Sequence, residues 1–246
     1  MRAAHRPPGS EAGNGLALRQ LGAQSVHMSW IFGTAKRRMV EPDEALPGHD
    51  DYLYEVPTTH AVLGTPLRGP WSDTTEVLYV AMGCFWGSER KFWQLPGVVS
   101  TAVGYQGGFS TYPTYEETCT ARTGHTETVM IAYEPSEIST YELLKVFWEN
   151  HDPTQMYQQG NDVGTQYRSA IFYTTDDQRE LIESTRDAYA KVLADRGFDP
   201  ITTQIAPADG LPFYYAEDYH QQYLYKVPHG YDCHSSTGIT LPALSA

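Results

Sequence analysis

No apolar stretch of this chain approaches the length needed to cross a bilayer, and Arg2 and Arg6 are followed by no apolar segment of the kind a secretory signal carries. Neither a membrane partner nor secretion is expected, and the chain reads as cytoplasmic. Cysteine is scarce: Cys84, Cys119 and Cys233 are the only 3 in 246 residues, with no close pair. That excludes a disulfide framework. H-x-x-x-H and H-E-x-x-H spacings are missing too, and Cys233-His234 alone does not define a zinc site, so no metal is expected. Basic residues are few, 17 Lys and Arg against 30 Asp and Glu, for a net charge of −13. Such a surface repels nucleic acid and anionic lipid. The glycine-rich run Gly104-Tyr105-Gln106-Gly107-Gly108 lacks the lysine of a phosphate-binding loop.

What the chain does have is enough apolar content, 41%, for one sizeable domain with extensions. Residues 1–40 are Gly-, Ala-, Pro-, Arg- and Ser-rich without periodicity and are expected to form a disordered leader, with Met28 and Met39 as alternative starts. Residues 41–75 carry turn residues with scattered apolar anchors, Tyr52, Tyr54, Val56 and Leu63, and read as an extended arm packed on the domain. A catalytic domain is expected over 76–225 and a coil-rich tail over 226–246.

Within the domain, Glu76 to Met82, Val98 to Tyr105, Glu127 to Tyr133, Arg168 to Tyr173 and Ile201 to Ile205 read as strands. Trp86 to Gln94 reads as a helix. Ser139 and Glu142 form a capping box ahead of a helix over 140–150, and Thr175 to Gln178 caps another that Gly197 stops. Tyr214 to Tyr225 reads as a partly helical aromatic segment. Gln106 to His125 is a long loop between strands with no helix separating them, which disfavours a doubly wound sheet. The fold expected is α+β: a two-layer sandwich of a mixed sheet with helices mainly on one face, around a ferredoxin-like core.

Chemistry concentrates at Gly83-Cys84-Phe85-Trp86-Gly87, where a strand gives way to a helix. A thiol at the first turn of a helix meets unpaired backbone N–H groups, which favour the thiolate. A buried, inert cysteine amid core aromatics is the competing reading. Three further runs are polar enough to line a site: Thr123 to Glu127, His151 to Arg168, and Tyr214 to Tyr223. His125 or Glu127 would supply a general acid beside Cys84, since burial raises a glutamate's pKa. The tyrosines of the third run are equally explained by packing.

Together, Gly-Cys-Phe-Trp-Gly at 83–87, Gly-Tyr-Gln-Gly-Gly at 104–108, Pro-Thr-Tyr at 113–115, Gly-His-Thr-Glu at 124–127, the run His151 to Arg168 and Tyr-Ala-Glu-Asp-Tyr-His-Gln-Gln-Tyr at 215–223 closely resemble peptide methionine sulfoxide reductase A. The resemblance spans about 76–233 in the family's order. It implies Cys84 as nucleophile toward the sulfoxide sulfur, Phe85 and Trp86 as a cage for the substrate methyl, and Glu127 as the acid. Tyr115 and Tyr167 would assist, Asp162 would sit in the polar wall and His125 would support. It also implies the S epimer as substrate, in proteins or free, no cofactor, a sulfenic acid resolved by a second thiol, and recycling by thioredoxin. A monomer is expected.

The tail departs from the family's Gly-Tyr-Cys-Gly: Gly230-Tyr231-Asp232-Cys233 has one residue more before its cysteine and none of the later cysteines. Cys233 is the expected resolving thiol, with Cys119 its rival. Two other functions suit the same turn: a cysteine hydrolase or acyltransferase with His125 or His151 as base, and a noncatalytic module gripping methionine side chains with Phe85 and Trp86.

Overall fold

The strand Glu76–Met82 (β1) alternates in the way that fixes two faces: Leu78, Val80 and Met82 belong to the main core, whereas Val77, Tyr79 and Ala81 belong to clusters on the opposite side. In the computed structural model, which describes residues 36–232 and 235–244, β1 is a central strand. Antiparallel neighbours flank it: Thr126–Tyr133 (β3), pairing Val80 with Val129, and Ser169–Tyr173 (β6), pairing Val80 with Ile171. Val98–Gln106 (β2) lies outside β3. Gln204–Pro207 (β7) runs parallel to β6, and Tyr214–Tyr215 (β8) closes the other side, for an order β7-β6-β1-β3-β2-β8. The sheet is mixed, and the architecture is α+β.

The main core lies between one face of this sheet and the helices Phe85–Trp93 (α1), Thr140–Glu149 (α3) and Asp176–Ala194 (α4). The α3 capping box forms in full, with Ser139 and Glu142 each bonding the other's backbone, and Thr175 caps α4 through the Gln178 amide. Trp148 donates its indole N–H to Thr185 Oγ1 at 3.0 Å and joins α3 to α4. The C-terminal segment then runs back along these helices. Leu241 is buried in the core, and Tyr189 Oη donates to the Ile239 carbonyl at 2.9 Å.

The opposite face is covered by chain without regular structure. Leu67, fully buried, packs with Ala102 and Met130, flanked by Val56 and Trp71. Tyr52 and Tyr54 meet the outer edge: Tyr54 Oη donates to the Tyr215 carbonyl at 2.9 Å, and the Tyr52 hydroxyl accepts the Tyr215 N–H at 3.1 Å. Residues 1–35 of the expected leader and Cys233 lie outside the described residues. Lys36 to Val40 do not, and there the Lys36 carbonyl accepts the Thr165 N–H at 3.0 Å. Among the described residues no helix is long and apolar enough to cross a membrane.

Three expectations need correction or refinement. The loop between β2 and β3 holds a short helix, Tyr115–Cys119 (α2), whose Thr114 and Glu117 form a second capping box. The strand expected at 201–205 starts at Gln204 instead, because Thr202 is drawn away to bond the Pro153 carbonyl through its N–H, at 2.8 Å. The aromatic segment from Tyr214 is partly helical as expected, in the four-residue helix Tyr223–Lys226 (α5), but it opens with the strand β8, and a turn ending at Gln222, left-handed at φ 49°, separates the two. Finally, Gln158–Gln159 (β4) and Asp162–Val163 (β5) form a small hairpin apart from the main sheet.

Since Leu67 seals the second face without any ladder of its own, Leu67→Ala is expected to lower unfolding free energy by about 2–5 kcal/mol in a urea titration.

Candidate active site

The antiparallel pairing of β1 with β3 puts the end of β1 beside the start of β3, at one end of the sheet. Cys84 follows β1 there and Glu127 opens β3. The turn into α1 requires Gly83: its φ is +89°, and a Cβ would come within 2.6 Å of Gln159 Cβ. Cys84 is the N-cap of α1 and is 9% exposed.

Glu127 is buried. Its Oε2 accepts the Phe85 N–H at 3.0 Å, satisfying one of the amides that a helix leaves open in its first turn. Burial raises its pKa to about 8, with Asp162 adding to the rise and the Phe85 bond opposing it. The group is therefore a neutral acid near pH 7. With Oε2 accepting, the proton belongs on Oε1, which no hydrogen bond engages among the described residues.

Cys84, Phe85, Trp86, Tyr115, Glu127, Asp162, Tyr167 and Tyr231 line one pocket of about 60 Å³, several times the roughly 10–15 Å³ that a water requires. Burial, followed by the nearby Glu127, raises the pKa of both Tyr115 and Tyr167, so both remain phenols able to donate. Asp162 Oδ1 accepts from Tyr231 Oη at 3.1 Å, while its buried Oδ2 has no hydrogen-bond partner among the described residues. One side of the pocket is thus aromatic, from Phe85 and Trp86, and the other presents hydroxyl and carboxyl groups.

The expected residues Cys84, Phe85, Trp86, Tyr115, Glu127, Asp162 and Tyr167 come together here. Tyr231 was not foreseen as a lining residue; its position beside the departing tail motif was the available signal. Cys233 lies outside the described residues, but Asp232, its neighbour, pairs with Arg90 of α1. Cys119 does not line the pocket; it is the last residue of α2, one turn beyond Tyr115.

Neither histidine suggested as a base reaches the pocket. His125 Nδ1 accepts the Gly108 N–H at 3.1 Å and Nε2 donates to the Ser110 carbonyl at 2.7 Å, so the ring shapes the β2–β3 loop. His151 is spent on the Phe147 carbonyl and Ser169 Oγ, both at 2.7 Å. Burial lowers the pKa of each to about 4. The hydrolase alternative is left without its base.

A family model described as peptide methionine sulfoxide reductase matches residues 76–243. The peptide methionine sulfoxide reductase MsrA of Rhodospirillum centenum is 54% identical over 212 residues, covering 86% of this chain and 95% of that protein. The MsrA of Salinispora arenicola is 53% identical, covering 84% and 94%. Among solved structures, methionine sulfoxide reductase A of Corynebacterium diphtheriae superposes with a TM-score of 0.73 at 47% identity, over 84% of this chain and all of that one. On these matches, and with the pocket formed from the motifs that carry the resemblance, the chain belongs to the peptide methionine sulfoxide reductase A family and is an oxidoreductase.

Proposed function

We propose that this pocket reduces methionine S-sulfoxide, in proteins or as the free amino acid, by oxygen transfer to Cys84. The observation that carries the reading is a neutral carboxyl group, Glu127, held in the same pocket as the thiol with Oε1 free of hydrogen bonds from the described residues. A sulfoxide oxygen leaves sulfur only once it is protonated, so the nucleophile needs an acid that still holds its proton near pH 7. Phe85 and Trp86 take the substrate methyl on the aromatic side. Tyr115 and Tyr167 donate toward the oxygen, and Asp162 adds to the burial that keeps Glu127 protonated.

The sulfur of Cys84 attacks the sulfoxide sulfur as Glu127 gives its proton to the oxygen. The substrate S–O bond then breaks and its oxygen, now a hydroxyl, passes to the Cys84 sulfur as the transient bond between the two sulfurs breaks, so methionine departs with two more electrons and Cys84 is left as a sulfenic acid. A second thiol, Cys233 in this reading, displaces water to form a disulfide. Two thiols of cytoplasmic thioredoxin then reduce it by exchange. The tail's approach supports Cys233 over Cys119: Tyr231 lines the pocket and Asp232 pairs with α1, whereas Cys119 is not part of the lining.

Purified protein with dithiothreitol is expected to convert a methionine S-sulfoxide peptide to methionine, and Cys84→Ser to abolish turnover; failure of the first or survival of the second refutes the reading. Because the acid form of Glu127 is lost as pH rises through about 8, kcat/KM should fall about tenfold per pH unit above that value. Glu127→Gln should remove this alkaline limb and lower kcat/KM by about 10²–10⁴. Cys233→Ser should release one equivalent of methionine and then stall with thioredoxin as reductant, as read by quench-flow against steady-state rates.

A further inference from the structure

Behind the pocket walls lies a turn, Glu217 to His220, whose two buried polar side chains face the wall residues and not the substrate space. Glu217 Oε1 accepts the Tyr115 N–H at 2.8 Å, and Oε2 accepts the Tyr105 hydroxyl at 2.8 Å. His220 Nδ1 accepts the Trp86 indole N–H at 2.9 Å. An indole N–H can only donate, so Nδ1 is the bare nitrogen and the proton of the neutral ring is on Nε2. Burial keeps that ring neutral, its pKa lowered to about 3.

Nε2 has no hydrogen-bond partner among the described residues and stands 3.8 Å from Glu217 Oε2. Leaving a buried donor short of a bond is costly, and rotating the ring to satisfy it would take Nδ1 away from Trp86. The geometry favours Trp86. The imidazole also fills the space between the walls, its centroid 4.5 Å from Tyr115 and 5.1 Å from Phe85, while Tyr223 stacks on the indole at 3.9 Å.

We propose that Glu217 and His220 are positioning residues that set the width of the pocket, Glu217 by fixing where Tyr115 enters α2 and His220 by fixing the rotation of the Trp86 indole. Neither touches the reacting atoms. The His220 N–H donates to the Glu217 carbonyl at 3.0 Å, so the two residues belong to one turn, and that turn locates both the hydroxyl wall and the methyl wall. The proposal rests on Trp86 contacting the substrate methyl.

The test is a double-mutant cycle with dithiothreitol as reductant and a methionine S-sulfoxide peptide as substrate: wild type, His220→Phe, Trp86→Phe and the double variant. Phenylalanine keeps the ring packing and removes the acceptor. His220→Phe is expected to raise KM and lower kcat/KM about tenfold when Trp86 is present, and to change nothing further in the Trp86→Phe background. An effect below about twofold, or the same factor in both backgrounds, overturns the proposal, the second outcome marking a merely structural residue. Wild-type kcat/KM in Trp86→Phe alone would instead overturn the methyl-wall reading on which it rests. Should His220→Phe fail to fold, His220→Gln decides: its amide oxygen can take the indole N–H, so KM within about threefold of wild type supports the proposal and a tenfold rise sinks it.

Discussion

The bond from the Phe85 amide to Glu127 is the constraint around which the rest of the site is arranged. It joins the first turn of α1 to the first residues of β3, and so fixes the acid relative to the cysteine one position earlier in the chain. It also decides which carboxyl oxygen is occupied. Burial opposes ionisation of this group more strongly than the amide favours it, and the balance leaves a glutamic acid near neutral pH. A more exposed residue in the same place would be a carboxylate and useless as a proton donor.

That bond exists because of topology. Because β3 runs antiparallel beside β1, the end of β1 and the start of β3 lie together at one end of the sheet, and only a glycine at 83 lets the chain turn there against Gln159. The loop after β2 then folds back as α2 to bring Tyr115 over the opening, and the β4–β5 hairpin brings Asp162 from another side. Segments remote in sequence each contribute one or two groups, while the sheet and its helices supply the rigid frame.

Legibility in the sequence followed how locally each feature is encoded. β1, β3 and the capped helices were readable because alternation, capping boxes and stop glycines lie within a few residues of what they specify. The cysteine turn was readable for the same reason, and most of its lining followed from the family resemblance. The start of β7 was not, since Thr202 is claimed by Pro153, nearly fifty residues away. Nor were the bonds made by Glu217 and His220: in sequence they stand among tyrosines that packing explains, and their partners Tyr115 and Trp86 lie more than a hundred positions upstream. A left-handed Gln222 carries no marker either, because glutamine seldom adopts that conformation and is held there by the Glu89 carboxylate.

The tyrosine pair at 52 and 54 has a consequence for how this sheet meets other chains. A border strand normally offers a row of unpaired amides and carbonyls on which a stray segment can nucleate. Here β8 is only two residues long, and both backbone groups of Tyr215 are already taken by phenolic hydroxyls from the arm. The far border, β7, is short and ends at Pro207, which has no amide to donate. Side chains and a proline thus act as terminators, so a damaged polypeptide arriving at this protein finds an opening for a side chain and little border on which to extend a ladder.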